Sequence, residues 1–363
     1  MFTERTSVGL DVHARSIVAA GIDGVTGELF KRRLVPQSEV VIDWLSALPA
    51  PVAVAYEAGP TGFELQRQLA AAGYRCVIAA PSKLVRPSSD RVKTDARDAM
   101  LLARLLRMDE LVAVEVPTPS RESARDLVRA REDVRAELMS ARHRVSKLLL
   151  RHGHVYSGGR PWTGKHHQWL HSITFAGAGT RAAYDAACEA VEFGLARRDR
   201  LDAAISELAA DSEFTEVTRR LGCLRGISTL TAFALAVEIG DWNRFTGASI
   251  GAYLGLVPSE HSSGESRRQG GITKSGNTHV RRLLIESAWQ HKPLYRVGTT
   301  LQERWDQAPP AARARAHLGN QRLHRRWQAF AARSKPHNVA NVAIARELAG
   351  WCWSLATLQD ATG

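Results

Sequence analysis

Four carboxylates lie where the chain is expected to end a strand or begin a helix. Asp11 ends a first predicted strand and Glu57 ends a fourth, while Asp95 and Asp98 open a helix at positions i and i+3 and so share one face. Four carboxylates in a small volume cannot all stay ionised without cations, so their convergence would form a site for Mg²⁺ or Mn²⁺. The alternative is ordinary: a strand-end turn residue and two acids favoured by the helix dipole.

Two Mg²⁺ ions about 4 Å apart can stabilise the attacking and leaving oxygens of a phosphodiester exchange. Cations around the predicted helix start are suited to hold a nucleic-acid backbone near such ions, although they could equally be solvated surface charges. These candidates are Arg86, Arg91, Lys93 and Arg97.

A second chemically informative stretch runs from Ser259 to Asn277, where hydroxyls, glycines and cations are interleaved with almost no apolar residues. Such a loop lets backbone amides approach phosphates, and one of its serines could act as a nucleophile; a flexible linker is the alternative. Asn277 is expected to cap a basic helix that follows. The candidate phosphate contacts are Arg267, Arg268 and Lys274 in the loop and Arg281 and Arg282 in the helix.

The turn at Gly226 and Ile227, between two apolar helical runs, resembles a helix-hairpin-helix. The turn amides of such a hairpin can bind a phosphate without reading sequence, so Gly226 is a further candidate contact. Taken alone, this motif is weakly specific.

The elements that must position the carboxylates lie in residues 1–115, where period-2 apolar runs alternate with helical ones in the manner of an α/β domain. Three antiparallel strands followed by crossover helices and parallel strands is the order of a ribonuclease-H-like sheet, in which the first and fourth strands are neighbours. A Rossmann fold would need a glycine fingerprint that is missing. The predicted strands are Ser7–Val12, Ser16–Ile22, Leu29–Val35, Val52–Glu57 and Tyr74–Ala80, with helices at 40–48 and 63–72.

Residues 116–215 are predicted to form a coiled-coil linker, because the apolar residues between Pro119 and His152 fall on a heptad. Leu127, Val134, Ala141 and Leu148 occupy one heptad position, and a second heptad-like stretch covers 184–208. Between the two, residues 154–180 are expected to be an inserted loop. Residues 216–363 are predicted to be a mostly helical domain that carries the serine-rich loop.

Net charge and composition limit the classes of function that the protein could have. The first 115 residues hold 14 Lys and Arg against 14 Asp and Glu, whereas the remaining 248 hold 35 against 23, so the net charge of +12 belongs to the later part of the chain. A basic surface favours nucleic acid as the partner. No apolar run is long enough for a membrane span, and the four scattered cysteines encode neither a disulfide framework nor a zinc site. We therefore expect a cytoplasmic, nucleoid-associated protein.

Together these motifs resemble the insertion-sequence transposases with an Asp-Glu-Asp-Asp tetrad, now described as bridge-RNA-guided recombinases. The resemblance covers most of the chain, and its motifs fall in the family's order. They are Gly9-Leu10-Asp11, Tyr56-Glu57-Ala58, the run from Lys93 to Ala99, Leu224-Arg225-Gly226-Ile227, Gly255-Leu256-Val257-Pro258 and Ser263-Gly264.

The resemblance implies a RuvC-like N-terminal domain, a coiled-coil linker and a C-terminal transposase domain. In this sequence Asp11, Glu57, Asp95 and Asp98 match the metal-binding tetrad, and Ser263, which precedes Gly264, matches the serine that attacks DNA. Ser262 adjoins it, so the choice of nucleophile depends on register. The implied partners are donor and target DNA, a guide RNA encoded in the element, and further copies of the chain in a dimer or tetramer.

Two other functions remain open from the sequence. A metal-only RuvC-like nuclease or Holliday-junction resolvase would use the same tetrad with water as nucleophile. A nucleic-acid-binding protein with a decayed catalytic centre would keep the basic surface without chemistry.

Overall fold

The computed structural model describes residues 4–84, 94–260 and 268–359. The chain divides into two compact units, residues 1–118 and 119–363. The first unit combines a sheet with helices and the second is mostly helical, which confirms the predicted mixed α/β class.

The first unit contains five strands and three α-helices in its described part. The predicted strands are confirmed to within one residue at either end, because their apolar alternation and turn residues are both strong signals. The elements are β1 (Thr6–Val12), β2 (Ile17–Asp23), β3 (Leu29–Leu34), α1 (Ser38–Ser46), β4 (Val52–Glu57), α2 (Glu64–Ala71), β5 (Arg75–Ala79) and α3 (Asp95–Arg107).

The strands form one mixed sheet in the order β3-β2-β1-β4-β5. β1 is antiparallel to β2 and parallel to β4, and it therefore lies at the centre of the sheet. Successive side chains of a strand point to opposite faces. Val8 and Leu10 of β1 face the core that α1 and α2 cover, with Leu45 and Leu69 among its fully buried residues.

Gly9 determines how α3 packs on the other face of the sheet. A Cβ added at Gly9 would lie 2.0 Å from the carbonyl oxygen of Ala99 and 2.7 Å from the backbone nitrogen of Ala103. Only a residue without a side chain fits so close an approach of helix to strand. The start of α3, where Asp95 and Asp98 lie, is thereby held against the strand that carries Asp11.

The second unit consists of ten α-helices, two short 3-10 helices and a small hairpin in its described part. The elements are α4 (Pro119–Arg151), α5 (Gly164–Ser172), α6 (Ala178–Ala210), α7 (Thr215–Leu221), α8 (Thr229–Ile239), α9 (Ser249–Tyr253), β6 (Pro258–Glu260), β7 (Gln269–Ile272), α10 (Thr278–Ala288), α11 (Thr299–Asp306), α12 (Pro310–Ala332) and α13 (His337–Ala356).

The two longest helices, α4 and α6, each contain 33 residues and pack against each other. Ion pairs of Arg131 with Asp202 and of Glu137 with Arg197 show that they run antiparallel. The buried stripe of α4 departs from the predicted heptad: Val128 and Leu149 are buried in place of Leu127 and Leu148. The list of buried apolar residues in α4 is Ala124, Val128, Val134, Leu138, Ala141, Val145 and Leu149. This spacing is nearer the 3.6-residue period of a straight helix than a strict heptad.

The segment expected to be an inserted loop contains a helix, α5, and this part of the prediction is wrong. His166 of α5 is buried between aromatic rings, with ring centroids 4.6 Å from Tyr156 and 5.0 Å from Trp162. The segment has no polar and apolar periodicity because its apolar contacts are made by aromatic and histidine rings, which a hydrophobicity pattern does not register.

The serine-rich stretch was expected to be a loop, but its flanks form the antiparallel hairpin β6–β7. Pro258 pairs with Ile272 and Glu260 with Gln269. The connecting residues 261–267 lie outside the described part of the chain. Glycines at 270 and 271 obscured this strand, because glycine is uncommon in strands and typical of loops.

A buried carboxylate joins three helices of the second unit. Glu238 of α8 is 4% exposed, and it accepts hydrogen bonds from Nε and Nη2 of Arg129 at 3.1 Å each and from Nδ2 of Asn277 at 2.8 Å. Burial alone raises the pKa of Glu238, but the hydrogen bonds from His279 and Arg129 and the charge of Arg129 outweigh burial and lower the pKa to about 2.

We predict that Gly9→Ala destabilises the protein by about 1–3 kcal/mol or more, because the new methyl group would overlap the backbone of α3. The matched control is Gly21→Ala on the neighbouring strand, where an added Cβ meets its nearest atom at an ordinary 3.4 Å. Urea unfolding measures both. Equal stability of the two variants would contradict the close packing of α3 on β1.

We predict that Glu238→Gln lowers the free energy of unfolding at neutral pH by about 2 kcal/mol, since it removes charged hydrogen bonds from a buried network. The pKa of Glu238 is lower in the folded chain than its ordinary value of 4.5, so this stabilisation is present above pH 4.5 and is lost as the pH falls toward 2. Urea unfolding over a pH series should therefore show the difference between wild type and variant shrinking in acid.

The control for this experiment is Glu286→Gln, which removes an exposed carboxylate that pairs with Arg282. Exposed ion pairs contribute little, so this variant should behave like the wild type. A stability difference for Glu238→Gln that does not change with pH would contradict the lowered pKa.

Candidate functional site

Asp11 and Glu57 lie at the ends of two adjacent parallel strands. The register pairs Gly9 with Ala55 and Leu10 with Tyr56, so Asp11 and Glu57 come next on β1 and β4. By the two-residue period of a strand, Asp11 shares the face of Gly9 and Glu57 that of Ala55, the face that α3 covers. Both carboxylates are thus at the edge of the sheet where α3 begins.

The helix α3 begins at Asp95 because Thr94 caps it: the Thr94 hydroxyl accepts a hydrogen bond from the backbone N–H of Arg97. Asp95 and Asp98 occupy the first turn, where the positive end of the helix dipole favours carboxylates. The predicted start of this helix is confirmed.

The structure brings Asp11, Asp95 and a third residue, His13, into one cluster. One ligand atom of each of these three residues lies within 4.8 Å of the others. His13 Nε2 lies 3.2 Å from Asp11 Oδ2 and 3.9 Å from Asp95 Oδ1. Sequence reasoning missed His13, although its position two residues after Asp11 places it on the same face of the chain and could have indicated it.

The electrostatics of the cluster fit a cation. Burial raises the pKa of Asp11 above its ordinary value; the charge and hydrogen bond of His13 oppose the rise, and the charges of Asp95 and Asp98 add to it. Among the described residues, His13 thus offsets only part of the effect of burial and of the neighbouring carboxylates on Asp11. Asp95 is half-exposed and Asp11 is about one-fifth exposed, so the carboxylates are accessible to solvent.

The donor atoms are those that a divalent metal would need. Carboxylate oxygens are the preferred protein ligands of Mg²⁺ and Mn²⁺, and an imidazole nitrogen is acceptable to Mn²⁺. Asp11 and Asp95 could hold the ion directly, with His13 beside them, and Glu57 and Asp98 are placed at the same edge by the strand register and the first turn of α3. The protein thus carries an acidic cluster suited to a divalent metal.

The predicted cations of the first unit are only partly within the described structure. Arg97 is exposed on the first turn of α3, next to the acidic cluster. Arg86, Arg91 and Lys93 lie outside the described residues.

The serine-rich segment is likewise described only at its ends. Ser263 and Arg267 lie outside the described residues. Arg268, which leads into β7, and Lys274, which follows it, are both exposed. Lys274 adopts a φ of 55°, a backbone conformation of tight turns.

Two of the predicted phosphate contacts are occupied within the protein. Arg281 is buried and its guanidinium donates hydrogen bonds to the carbonyl oxygens of Leu254 and Ser275 at 3.0 and 2.7 Å, so it supports the fold of the loop. Arg282 forms ion pairs with Glu132 and Glu286. Their basic character was visible in the sequence, but burial and pairing were not.

The backbone conformation and the close packing at position 226 both favour glycine. Gly226 has a φ of 84°, and a Cβ there would lie 2.6 Å from the carbonyl oxygen of Ser287. As predicted, a turn that contains Gly226 connects two helices, α7 and α8. Asn277 caps α10 as predicted, since its side-chain oxygen accepts a hydrogen bond from the N–H of Val280.

Among the described residues, no helix is both long enough and apolar enough to cross a membrane.

Comparison with known proteins gives consistent matches along the chain. A model of the DEDD-type IS110 transposase matches residues 8–153, and a model described as the IS116/IS110/IS902 transposase family matches residues 218–299. The first match spans Asp11, Glu57, Asp95 and Asp98 and the second spans Ser263.

Several curated relatives align over most of their length. A predicted transposase of Sinorhizobium fredii is 36% identical over 355 residues, which cover 96% of this chain and 88% of that protein. The transposase for insertion sequence element IS1533 of Leptospira borgpetersenii is 28% identical over 329 residues, covering 88% and 95% of the two chains. At this identity and coverage, the chain belongs to the IS116/IS110/IS902 family of insertion-sequence transposases.

Proposed function

We propose that this transposase cuts and rejoins DNA through a covalent bond between Ser263 and the DNA backbone, with divalent metal held by Asp11, Glu57, Asp95 and Asp98. The observation that carries the metal half of the proposal is the convergence of Asp11 and Asp95, whose ligand atoms lie within 4.8 Å of each other and of His13. The assignment of Ser263 as the nucleophile depends on the family's sequence pattern.

The strand order supports a ribonuclease-H-like, RuvC-like first domain. Three antiparallel strands followed by two strands parallel to β1, in the order β3-β2-β1-β4-β5, is the arrangement expected for that fold. We propose residues 1–115 as this catalytic domain, residues 116–215 as a coiled-coil linker and residues 216–363 as the transposase domain that carries the serine.

The acidic residues have separable tasks in this proposal. Divalent metal, when bound, neutralises phosphate charge and polarises the scissile phosphodiester. Asp11 and Glu57 project from adjacent strands and provide rigid ligands, whereas Asp95 and Asp98 belong to a helix that Gly9 holds against β1. His13, hydrogen-bonded to Asp11, orients that carboxylate.

The covalent step is a transesterification. The Ser263 oxygen attacks a DNA phosphorus and loses its proton, a phosphoserine bond forms, one bridging P–O bond of the DNA breaks, and the released deoxyribose oxygen takes up a proton. The number of phosphoester bonds is unchanged, so the reverse attack by another DNA end rejoins the strand without an external energy source. A serine hydroxyl is a weak nucleophile at neutral pH, so we propose that the two domains form a composite active site in which it is activated.

We further propose that an element-encoded guide RNA pairs with donor and target DNA, and that the protein acts as a dimer or tetramer. The charge distribution supports a nucleic-acid-binding role, since residues 116–363 carry the whole net excess of positive charge. In such a division of labour, base pairing reads the sequence while the protein supplies chemistry and backbone contacts.

We predict that Asp11→Asn and Asp98→Asn each weaken binding of Mn²⁺ by tenfold or more, since each removes a negative charge from the proposed ligand set. Isothermal titration of the full chain with MnCl₂ measures this without requiring activity. Asp43→Asn, which removes an exposed carboxylate of α1, is the control and should bind as the wild type does. Unchanged binding in the Asp11 and Asp98 variants would refute the metal site.

We predict that the wild type, incubated with donor and target DNA, the flanking noncoding RNA and Mg²⁺, gives a protein–DNA adduct that survives SDS. Ser263→Ala should abolish the adduct because the attacking oxygen is absent, whereas the neighbouring Ser262→Ala should retain it. DNA cleavage that persists in Ser263→Ala without an adduct would identify a metal-dependent nuclease that uses water. Loss only in Ser262→Ala would move the nucleophile by one residue.

A further inference from the structure

A large basic groove lies on the second unit. It has a volume of about 1060 Å³ and is lined by residues of α12 and α13 on one side and by the hairpin β6–β7 on the other. Its cationic side chains are Arg315, Arg322, Arg326, Lys335 and Arg346, and Glu347 is its only acidic lining residue in the described part of the chain. The groove therefore has a strong excess of positive charge.

Three of these cations form a row on α12. Arg322 and Arg326 follow Arg315 by seven and eleven residues, which places them on one face of the helix. All three side chains are exposed. Such a row presents positive charge along the length of the helix, as an extended anion requires.

Glu347 fixes two of these guanidinium groups without neutralising the groove. Its two oxygens lie 2.5 Å from Nε of Arg322 and 2.9 Å from Nε of Arg326. Within the described residues, the terminal amino groups of both arginines form no hydrogen bond, and the side chains stay 61% and 47% exposed. One carboxylate thus orders two donors that can still bind a phosphate in the bidentate manner of arginine.

Arg315 is ordered by a different pair of contacts. Its Nε donates a hydrogen bond to Oγ of Ser354 at 2.6 Å, and its guanidinium lies 5.5 Å from the ring centroid of Trp351. Trp351 reaches this position because residue 319 of α12 is glycine: a Cβ there would lie 2.9 Å from the indole. An arginine that is already positioned loses less conformational entropy when it binds.

The opposite wall combines two glycines with Pro258, Gln269 and Ile272 of the hairpin. Gly270 and Gly271 of β7 line the groove, and a Cβ on Gly271 would meet no atom within 4 Å. In the sequence this hairpin flanks the segment that contains Ser263. A strand of nucleic acid lying along α12 would therefore pass beside the two strands that precede and follow the proposed nucleophile in the sequence.

We propose that this groove binds the sugar-phosphate backbone of the DNA substrate through Arg315, Arg322, Arg326, Lys335 and Arg346. The inference rests on the proposed function for the identity of the anion as DNA, and on charge complementarity and ordered guanidinium groups for the site itself. The tryptophan rings at the groove are engaged, Trp351 by Arg315 and Trp353 through a hydrogen bond from its Nε1 to the carbonyl oxygen of Phe245.

The test measures binding of a fluorescent DNA duplex to the full chain by anisotropy, in EDTA, over a series of salt concentrations. Each phosphate contact contributes about 0.9 to the slope of log affinity against log salt. Arg322→Gln/Arg326→Gln should weaken binding by about tenfold or more and reduce the slope by about 2. The matched control Arg325→Gln/Arg333→Gln removes two exposed arginines from the same segment outside the groove and should change the slope little.

A second variant, Arg315→Gln/Arg346→Gln, keeps the Glu347 pairs intact, so the test stands if the first variant fails to fold. Thermal unfolding of each variant reports folding. Groove variants that match the control would overturn the inference, and so would variants that lose affinity for an RNA of the element while DNA binding is unchanged.

Failure of the groove and failure of the proposed function are distinguishable, because binding in EDTA requires no chemistry. If the wild type forms the serine adduct but the groove variants bind DNA as the control does, only the groove assignment is wrong. The groove variants could show the expected smaller dependence of DNA affinity on salt while the wild type forms no adduct. In that case the groove is supported and the serine mechanism is wrong.

Discussion

The close contact of α3 with β1 at Gly9 is the constraint on which the candidate metal centre depends. The tetrad comes from three elements far apart in sequence, and two of its members belong to a helix that could cover the sheet at many distances. With the backbone of Ala99 held against Gly9, the first turn of α3 is brought to the end of β1. Asp95 then lies next to Asp11 and His13. Because β1 is the central strand, the sheet that fixes Asp11 also fixes Glu57 beside it.

In the second unit, two carboxylates position several of the many positively charged side chains. The buried carboxylate of Glu238 holds Arg129 and Asn277, whereas the partly exposed carboxylate of Glu347 holds Arg322 and Arg326. Where the arginine is enclosed, as Arg281 is, it supports a loop; where it stays exposed, it remains available to an anionic partner.

Much of the first unit could be predicted from sequence, because alternating apolar residues and a capped helix start are local signals. Predicting the strands and the start of α3 needed no knowledge of the tertiary structure. His13 was missed because a histidine two residues after a carboxylate is a weak local signal, and the tertiary contact with Asp95 that strengthens it is not visible in the sequence. α5 was missed because ring packing, not apolar periodicity, stabilises its segment. The burial of Arg281 could not be predicted either, since a basic helix facing DNA and one facing a loop have the same sequence pattern.

The central claim is that the acidic cluster of the first domain and the serine of the second act on one DNA phosphate. Anomalous diffraction from crystals of the full chain with DNA, RNA and Mn²⁺ tests it most directly, since it locates metal, serine and phosphate together. The account predicts Mn²⁺ coordinated by Asp11 and Asp95, with Glu57 and Asp98 completing the site, and Ser263 Oγ at the same phosphate. Mn²⁺ bound elsewhere, or a serine far from any metal-bound phosphate, would contradict it.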